Sequence, residues 1–311
     1  MNFGQRNLQS TPILFGLLAT LWGGSFIAIE IGLARLPPLL FAALRYDVAG
    51  AVVLAYAALT RDRWLPGRLP EWLTIGVGGV LLIAAFHALL YLGQGYISGA
   101  IAAIVVSLVP LLTVVFDRSL LGEADLDTVS GAGLAFGFVG VAIVANPTAI
   151  TTGSAALVGV ALVFLAAVSF AFGSIATRPF RSRLPATAQL GWTMLVGGVV
   201  LHLGSVARGE SLAATTVTPT VLAAFAYLVV ASSVVAYLVY FELLDRVGPS
   251  ELNLVNYLVP VVTALVGWAL LGQVLDPMAV LGFAVVFVGF ALLKRDTLRR
   301  IVCARRAVPD C

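Results

Sequence analysis

Long apolar stretches dominate the chain, and short polar stretches separate them. Ten apolar stretches run for about 17 to 25 residues, the length that an α-helix needs to cross the hydrocarbon core of a bilayer. They cover approximately residues 12–31, 38–59, 72–92, 97–117, 129–146, 155–177, 187–206, 218–241, 250–271 and 277–293. We therefore expect an all-α, polytopic membrane protein with ten transmembrane helices and no soluble domain.

The composition agrees with a membrane protein. Hydrophobic residues make up 60% of the chain and charged residues only 11%, whereas about a quarter of a soluble chain is charged. The first apolar stretch is too long for the core of a secretory signal, so we interpret it as a retained helix. The two cysteines, Cys303 and Cys311, come too late in the chain to cross-link a core.

The positive charges predict the orientation. If ten helices span the membrane, fifteen of the eighteen cations fall on one side, and only Arg35 and Arg208 fall on the other. Because cytoplasmic loops carry the excess of basic residues, both termini are predicted to be cytoplasmic in the cell membrane. The net charge is +3, and the basic residues other than Arg45 lie in loops and in a basic tail from about residue 294. This distribution indicates contact with a lipid surface and no nucleic acid partner.

The chain contains an internal repeat. Residues 108–123 read LVPLLTVVFDRSLLGE and residues 258–273 read LVPVVTALVGWALLGQ, with seven of sixteen positions identical at an offset of 150. The halves are then about 1–150 (helices 1–5) and 151–311 (helices 6–10). Since five is odd, the second half must enter the membrane from the opposite face. Inverted repeats of this kind characterise secondary transporters that work by alternating access.

The chain resembles the EamA family of the drug/metabolite transporter superfamily. The resemblance rests on LWGGSFIAIE in helix 1, PPLLFAALRYDVAG in helix 2, SGAIAAIVVSLVPLLTVVFDRSLLGE in helix 4 and VGPSELNLVNYLVPVVTALVGWALLGQ in helix 9. It implies a ten-helix exporter of a small metabolite, amino acid-like or related, or of a drug. It also implies a central cavity lined mainly by helices 1, 3, 4, 6, 8 and 9, and no cofactor. Gln273 departs from the family pattern, in which this position is Glu.

Polar residues in the apolar stretches are candidates for lining the cavity, because buried amides and hydroxyls need partners or water. On helix 9, Asn253, Asn256, Tyr257 and Pro260 follow the spacing of one helix face; a hydrogen bond between helices is the alternative role. Further candidates, two of which are 150 residues apart, are His87, Tyr91, Gln94, Ser233, Tyr237, Ser107 and Trp22.

His87 raises the question of proton coupling. Its unperturbed pKa lies near neutrality, so it could couple transport to protons, but a lone intramembrane histidine is more often a fixed hydrogen-bonding group. Tyr91 lies towards the outer interface, where membrane anchoring is as good an explanation as binding. Coupling to protons and facilitated diffusion both stay open.

Two prolines are candidate hinges. Pro110 and Pro260 occupy equivalent positions inside helices 4 and 9 and deprive the carbonyls of Val106 and Asn256 of their helical partner. The two freed carbonyls predict a polar ring for substrate; the alternative is a packing kink in which Ser107 or a neighbouring helix satisfies them.

Arg45 is the one cation that falls inside a predicted helix. We expect it to pair with Glu30 or Asp47 as a structural clamp; recognition of a substrate carboxylate is the alternative.

Other features favour structural roles. The GxxxG of Gly133 and Gly137 predicts close packing inside a monomer rather than a dimer contact, so we expect a monomer or a weak homodimer. No catalytic motif of a membrane enzyme and no filter-like loop of a channel is present in the sequence. A membrane enzyme and a channel or scaffold remain the alternatives to a carrier.

Overall fold

The computed structural model describes residues 3–122, 127–145, 155–213, 215–293 and 295, with the side chains of residues 3–10 and of residue 250 excluded. All regular secondary structure in the described part is helical, as predicted. The helices are α1 Phe3–Leu33, α2 Pro38–Thr60, α3 Leu69–Gln94, α4 Gly99–Leu120, α5 Thr128–Val144, α6 Ala155–Ala176, α7 Ala186–Ala207, α8 Pro219–Pro249, α9 Val255–Leu271 and α10 Pro277–Leu293.

Seven of these helices are long and apolar enough to cross a membrane. The other three, α5, α9 and α10, are apolar and have 17 residues each. The predicted and observed helix bounds agree within five residues, except that α1 begins nine residues earlier and α8 ends eight residues later than predicted. The start of α9 also differs. That helix begins at Val255 instead of residue 250, because Gly248, at φ +75°, breaks the end of α8 and a short segment to Leu252 follows.

Aspartates begin two of the helices. Asp127 accepts a hydrogen bond from the backbone N–H of Ser130 at the start of α5, and Asp276 accepts from the N–H of Met278 at the start of α10. Arg295 donates to the Asp127 carboxylate, which holds the pKa of that carboxyl well below its usual range. The rest of the predicted basic tail lies outside the described residues.

The repeated LLG sequence ends a helix in both halves. Gly122 follows α4 at φ +68° and Gly272 follows α9 at φ +65°. This left-handed conformation is easily reached only by glycine, and it lets the chain turn away from the last helical carbonyls. The repeated motif therefore encodes the same helix end twice.

Helices α2 and α7 occupy equivalent places in the two halves and pack together in opposite directions. Near the start of α2, the backbone N–H of Leu40 donates a hydrogen bond to the carboxylate of Glu210, which follows α7. Midway along α2, Gly50 packs on Leu195. Further along α2, Leu54 packs on Gly191 near the start of α7. The residue numbers rise along one helix as they fall along the other, so the pair is antiparallel.

Helices α5 and α10 are also equivalent and antiparallel, and glycines set their separation. A methyl group on Gly133 would lie 2.5 Å from the carbonyl oxygen of Gly289, and one on Gly140 would lie 2.7 Å from that of Gly282. Gly137 packs on Leu111 of α4. The prediction that the GxxxG of α5 packs within the monomer is confirmed.

Each of α3 and α8 contains a π-helical segment, at Gly79–Ala85 in α3 and Tyr227–Val235 in α8. An offset of 150 places the first segment on residues 229–235, inside the second. The remaining packing repeats in the same way: α1 contacts α8 and α9, while α6 contacts α3 and α4. A π-helical turn contains one more residue than an α-helical turn. Such turns are rare, and they frequently occur at functional sites.

Candidate functional site at a buried arginine

Arg45 lies in the middle of the helical bundle, with 4% of its surface exposed. Its guanidinium donates three hydrogen bonds to hydroxyl oxygens: from Nε to Ser233 at 3.1 Å, from Nη1 to Tyr91 at 3.2 Å and from Nη2 to Ser232 at 3.2 Å. The guanidinium also lies 5.1 Å from the centre of the Tyr46 ring, within the range of a cation–π contact. We call Arg45, Tyr46, His87, Tyr91, Ser232 and Ser233 the arginine cluster.

The π-helical segment of α8 explains how two successive serines reach one guanidinium. Successive side chains of an α-helix point about 100° apart, and the wider π turn reduces that angle, so that Ser232 and Ser233 share a face. The Ser233 hydroxyl also donates to the carbonyl of Leu228, five residues earlier, at 2.9 Å. The π-helical turn thus fixes the hydroxyl that accepts from Arg45 Nε.

Arg45 does not form the predicted clamp with Glu30 or Asp47. Asp47 instead binds His202 of α7 at 2.6 Å. Glu30 accepts from the backbone N–H of Gly99 at 2.8 Å and from the Gln273 amide. The prediction of carboxylate partners is wrong because these helices bring hydroxyls, rather than acids, next to Arg45.

His87 has protein partners at both ring nitrogens. Nδ1 lies 2.9 Å from the carbonyl oxygen of Ile83, which can only accept, so Nδ1 carries a proton. Nε2 lies 2.5 Å from the hydroxyl of Tyr46, whose proton it accepts in the neutral imidazole. These contacts favour the fixed hydrogen-bonding role over proton coupling.

Tyr91 and Gln94 are buried inside the bundle. Tyr91 is completely buried on the Phe41 ring and bonded to Arg45, so its predicted alternative role as an interfacial anchor is wrong. The Gln94 amide donates to the carbonyl of Phe26 at 2.9 Å, which ties α3 to α1. Its Oε1 atom is buried and has no partner among the described residues.

An aromatic triad lies beside the arginine cluster. Trp22 of α1 lies 6.1 Å from Tyr237 and 5.7 Å from Tyr240 of α8, and the two tyrosine rings lie 6.1 Å apart. All three side chains are only partly buried, although they pack against the core. Within the described chain, no protein hydrogen bond reaches the two hydroxyls or the indole N–H.

Only part of the predicted polar stripe lies on α9: Asn256, Tyr257 and Pro260 are inside the helix, and Asn253 is not. Asn253 precedes α9 and caps the segment that ends at Leu252, and the Asn256 amide donates to its backbone carbonyl at 3.2 Å. Tyr257 stacks on Phe290 of α10 at 3.7 Å between ring centres. Asn253 falls outside α9 because the chain breaks at Gly248 and the helix starts later than its hydrophobic pattern indicates. The cavity-lining role of Asn256 and Tyr257 stays a prediction.

The two prolines differ in their local structure. The α-helical hydrogen bonding of α4 is interrupted at Ser107 and Leu108, just before Pro110, whereas Pro260 lies inside a continuous α9. Ser107 donates to the carbonyl of Ile104, so it is not the residue that satisfies the carbonyl of Val106. A hinge at Pro110 therefore has a structural basis that Pro260 lacks.

Sequence reasoning missed Ser232, Tyr46 and the Glu30–Gln273 contact. Ser232 points away from Ser233 in any α-helical reading, and the π-helical segment has no signature in a single sequence. Tyr46 could have been predicted, because it follows Arg45 directly and an aromatic ring next to a buried cation is a common partner.

Comparisons with known proteins give consistent results. The model of the EamA-like transporter family matches residues 10–146 and again residues 157–295. The protein named "Uncharacterized inner membrane transporter YedA" of Escherichia coli (strain K12) is 34% identical over 285 residues, covering 88% of this chain and 90% of its own. Protein PecM of Dickeya dadantii is 30% identical, covering 88% of this chain and 87% of its own.

A solved crystal structure shares the fold. It aligns with a TM-score of 0.64 at 21% identity, covering 94% of this chain and 98% of its own. At this identity the likeness concerns the arrangement of the helices alone.

Proposed function

The chain belongs to the EamA-like transporter family of the drug/metabolite transporter superfamily, and on this premise we propose that it is a secondary transporter that works by alternating access. Its membership supports a multi-pass membrane protein that moves a small molecule across the bilayer. The finer proposal is an exporter of an amino acid-like metabolite or a drug.

The antiparallel packing of equivalent helices carries this proposal. In a pair such as α2 and α7, repeat-equivalent helices run in opposite directions, as they must if the two halves are inverted copies. Two inverted copies around one site give inward-open and outward-open states of similar energy. The repeated π-helical segments and glycine helix ends support the same relation.

We include α5, α9 and α10 among the membrane-spanning helices, which gives the ten spans of the predicted topology. Their 17 residues are at the lower limit for crossing the hydrocarbon core. Each of them packs against an equivalent or longer helix. With ten spans, the distribution of positive charge supports cytoplasmic termini.

Polar contacts join helix ends at both sides of the bundle, as a carrier with two gates requires. Near the start of α4, Glu30 joins the end of α1 to Gly99 and Gln273. Near the opposite end of α4, Asp117 pairs with Arg178 after α6 at 2.8 Å. We propose that one of these two contacts opens in each half of the transport cycle.

Counter-flow in liposomes tests the carrier. Metabolite profiling of cells that lack or overproduce the protein supplies candidate substrates. We expect saturable uptake of labelled substrate that accelerates when unlabelled substrate is loaded inside. Flux that does not saturate would indicate a channel instead, and a chemically altered product would indicate a membrane enzyme.

A further inference from the structure

The arginine cluster carries a positive charge without a countercharge. No Asp or Glu side chain lies within ion-pair distance of Arg45 among the residues that the structure describes. Its hydrogen-bond partners are neutral hydroxyls, and the contacts of His87 are those of a neutral imidazole. Because a buried charge is costly unless it is paired, the cluster is suited to a ligand with one negative charge.

Two N–H donors of the guanidinium remain available. Arginine has five such donors, and three are used by Ser233, Tyr91 and Ser232. The two that remain belong to Nη1 and Nη2, one on each nitrogen. A carboxylate accepts from this pair of atoms in bidentate geometry.

The hydroxyl partners also hold the guanidinium in place before any ligand arrives. They come from α3 and α8, while Arg45 comes from α2, so three helices fix the plane of the group. A group that is already oriented loses little entropy when it binds an anion. The hydroxyls orient the cation without neutralising it.

One face of α8 links the guanidinium to the aromatic triad. Ser233, Tyr237 and Tyr240 follow the spacing i, i+4, i+7, so they lie on the same face. At 1.5 Å per residue, the two tyrosines lie about 6 Å and about 10 Å along the helix from Ser233.

The triad is suited to the body of the ligand. Its rings are partly exposed and offer flat apolar faces, and its hydroxyls and indole N–H offer hydrogen bonds that no described protein group uses. A ligand with a single ring and a short chain matches the rise of about 6 Å along α8 from Ser233 to the nearer tyrosine. The charge is recognised at one end of the site and the ring at the other.

Resting on the proposed transport function, we propose that the arginine cluster and the aromatic triad form the binding site for a monocarboxylate with an aromatic body. The carboxylate accepts from the two remaining donors of Arg45, and the ring packs among Trp22, Tyr237 and Tyr240. One guanidinium matches one negative charge, so dicarboxylates are excluded.

Equilibrium binding with a matched series of probes tests the site. Purified protein in lipid nanodiscs is titrated with radiolabelled phenylpropionate, and phenylpropanamide and phenylpropylamine compete as the neutral and cationic analogues. Hexanoate tests the need for the ring. We expect saturable phenylpropionate binding, with both nitrogen analogues weaker by about tenfold or more, as expected for loss of a hydrogen-bonded charge.

Variants assign the binding to Arg45. Arg45→Gln abolishes binding and Arg45→Lys weakens it, because an ammonium lacks the planar fork. Arg208→Gln, a matched loss of a half-exposed arginine at the end of α7, leaves it unchanged. If Arg45→Gln does not fold, the preference of the unaltered protein for phenylpropionate over phenylpropanamide still decides the question.

Three results would overturn the site: equal binding of the neutral amide, phenylpropionate binding that survives Arg45→Gln, or no saturable binding of either carboxylate. Arg45-dependent binding without counter-flow would support the site and contradict the carrier. Counter-flow of a solute with which no carboxylate competes would support the carrier and contradict the site.

Discussion

At the scale of the residue, the buried polar groups divide into those satisfied by the protein and those that are not. Both ring nitrogens of His87 are satisfied, and so is the Glu30 carboxylate. Arg45 keeps two free donors and no countercharge among the described residues. This contrast leads us to assign a structural role to His87 and ligand binding to Arg45.

His87 is expected to matter for stability and not for the pH dependence of transport. His87→Ala removes the partners of the Tyr46 hydroxyl and the Ile83 carbonyl, which lowers the melting temperature because buried groups lose their hydrogen bonds. Counter-flow measured across pH 5 to 8 should keep the shape of its profile. His202→Ala, which removes the other histidine of the chain, is the control. A profile that flattens only in the His87 variant would mean that this residue carries the coupling proton.

Gln273 donates its amide to Glu30, so the acid that is usual in the family at this position would be harmful here. Gln273→Glu places two carboxylates in contact and should destabilise the protein, since like charges repel. The double variant Glu30→Gln with Gln273→Glu exchanges acid and amide and should recover most of the loss. Thermal unfolding of the two single variants and the double variant measures the coupling. Additive losses would show that the two side chains do not interact.

At the scale of the element, the hydrophobic pattern predicts where helices lie but not how they break. The apolar lengths locate the described helices, and Asp127 and Asp276 begin α5 and α10. The π-helical segments and the break at Gly248 escape the sequence, because tertiary packing decides between α and π hydrogen bonding. Consequently Ser232 is missed, and Asn253 is wrongly placed on α9.

The glycines of α5 provide a prediction at this scale. Gly140→Ala pushes a methyl group against the Gly282 carbonyl of α10, so we expect a loss of stability of about 1–3 kcal/mol from overpacking. Gly131→Ala is the matched control in the same helix, because a methyl group there has nothing within 4 Å. Thermal unfolding in detergent compares the two. Equal melting temperatures would mean that α5 and α10 do not pack as closely as described.

At the scale of the whole molecule, the internal repeat is the most informative feature of the sequence. The offset of 150 between two LVP segments predicts which helices are equivalent, and in the structure two such pairs, α2 with α7 and α5 with α10, pack in opposite directions. Residues that differ between the two halves are less predictable. Arg45 corresponds to Thr193 in the other half, so its partners follow from no repeat and depend on the packing of three helices.

Cysteine labelling from either side of the membrane tests the central claim, that the two halves are inverted, most directly. In a background with Cys303→Ser and Cys311→Ser, single cysteines replace Ser119 at the end of α4 and Val274 after α9, both exposed and in equivalent helix ends. Asp62→Cys and Ser211→Cys are the controls for the cytoplasmic and the outer face. We predict that an impermeant maleimide labels positions 274 and 211 from outside and labels 119 and 62 only after the cells are opened. Labelling of 119 and 274 from the same side would contradict the account.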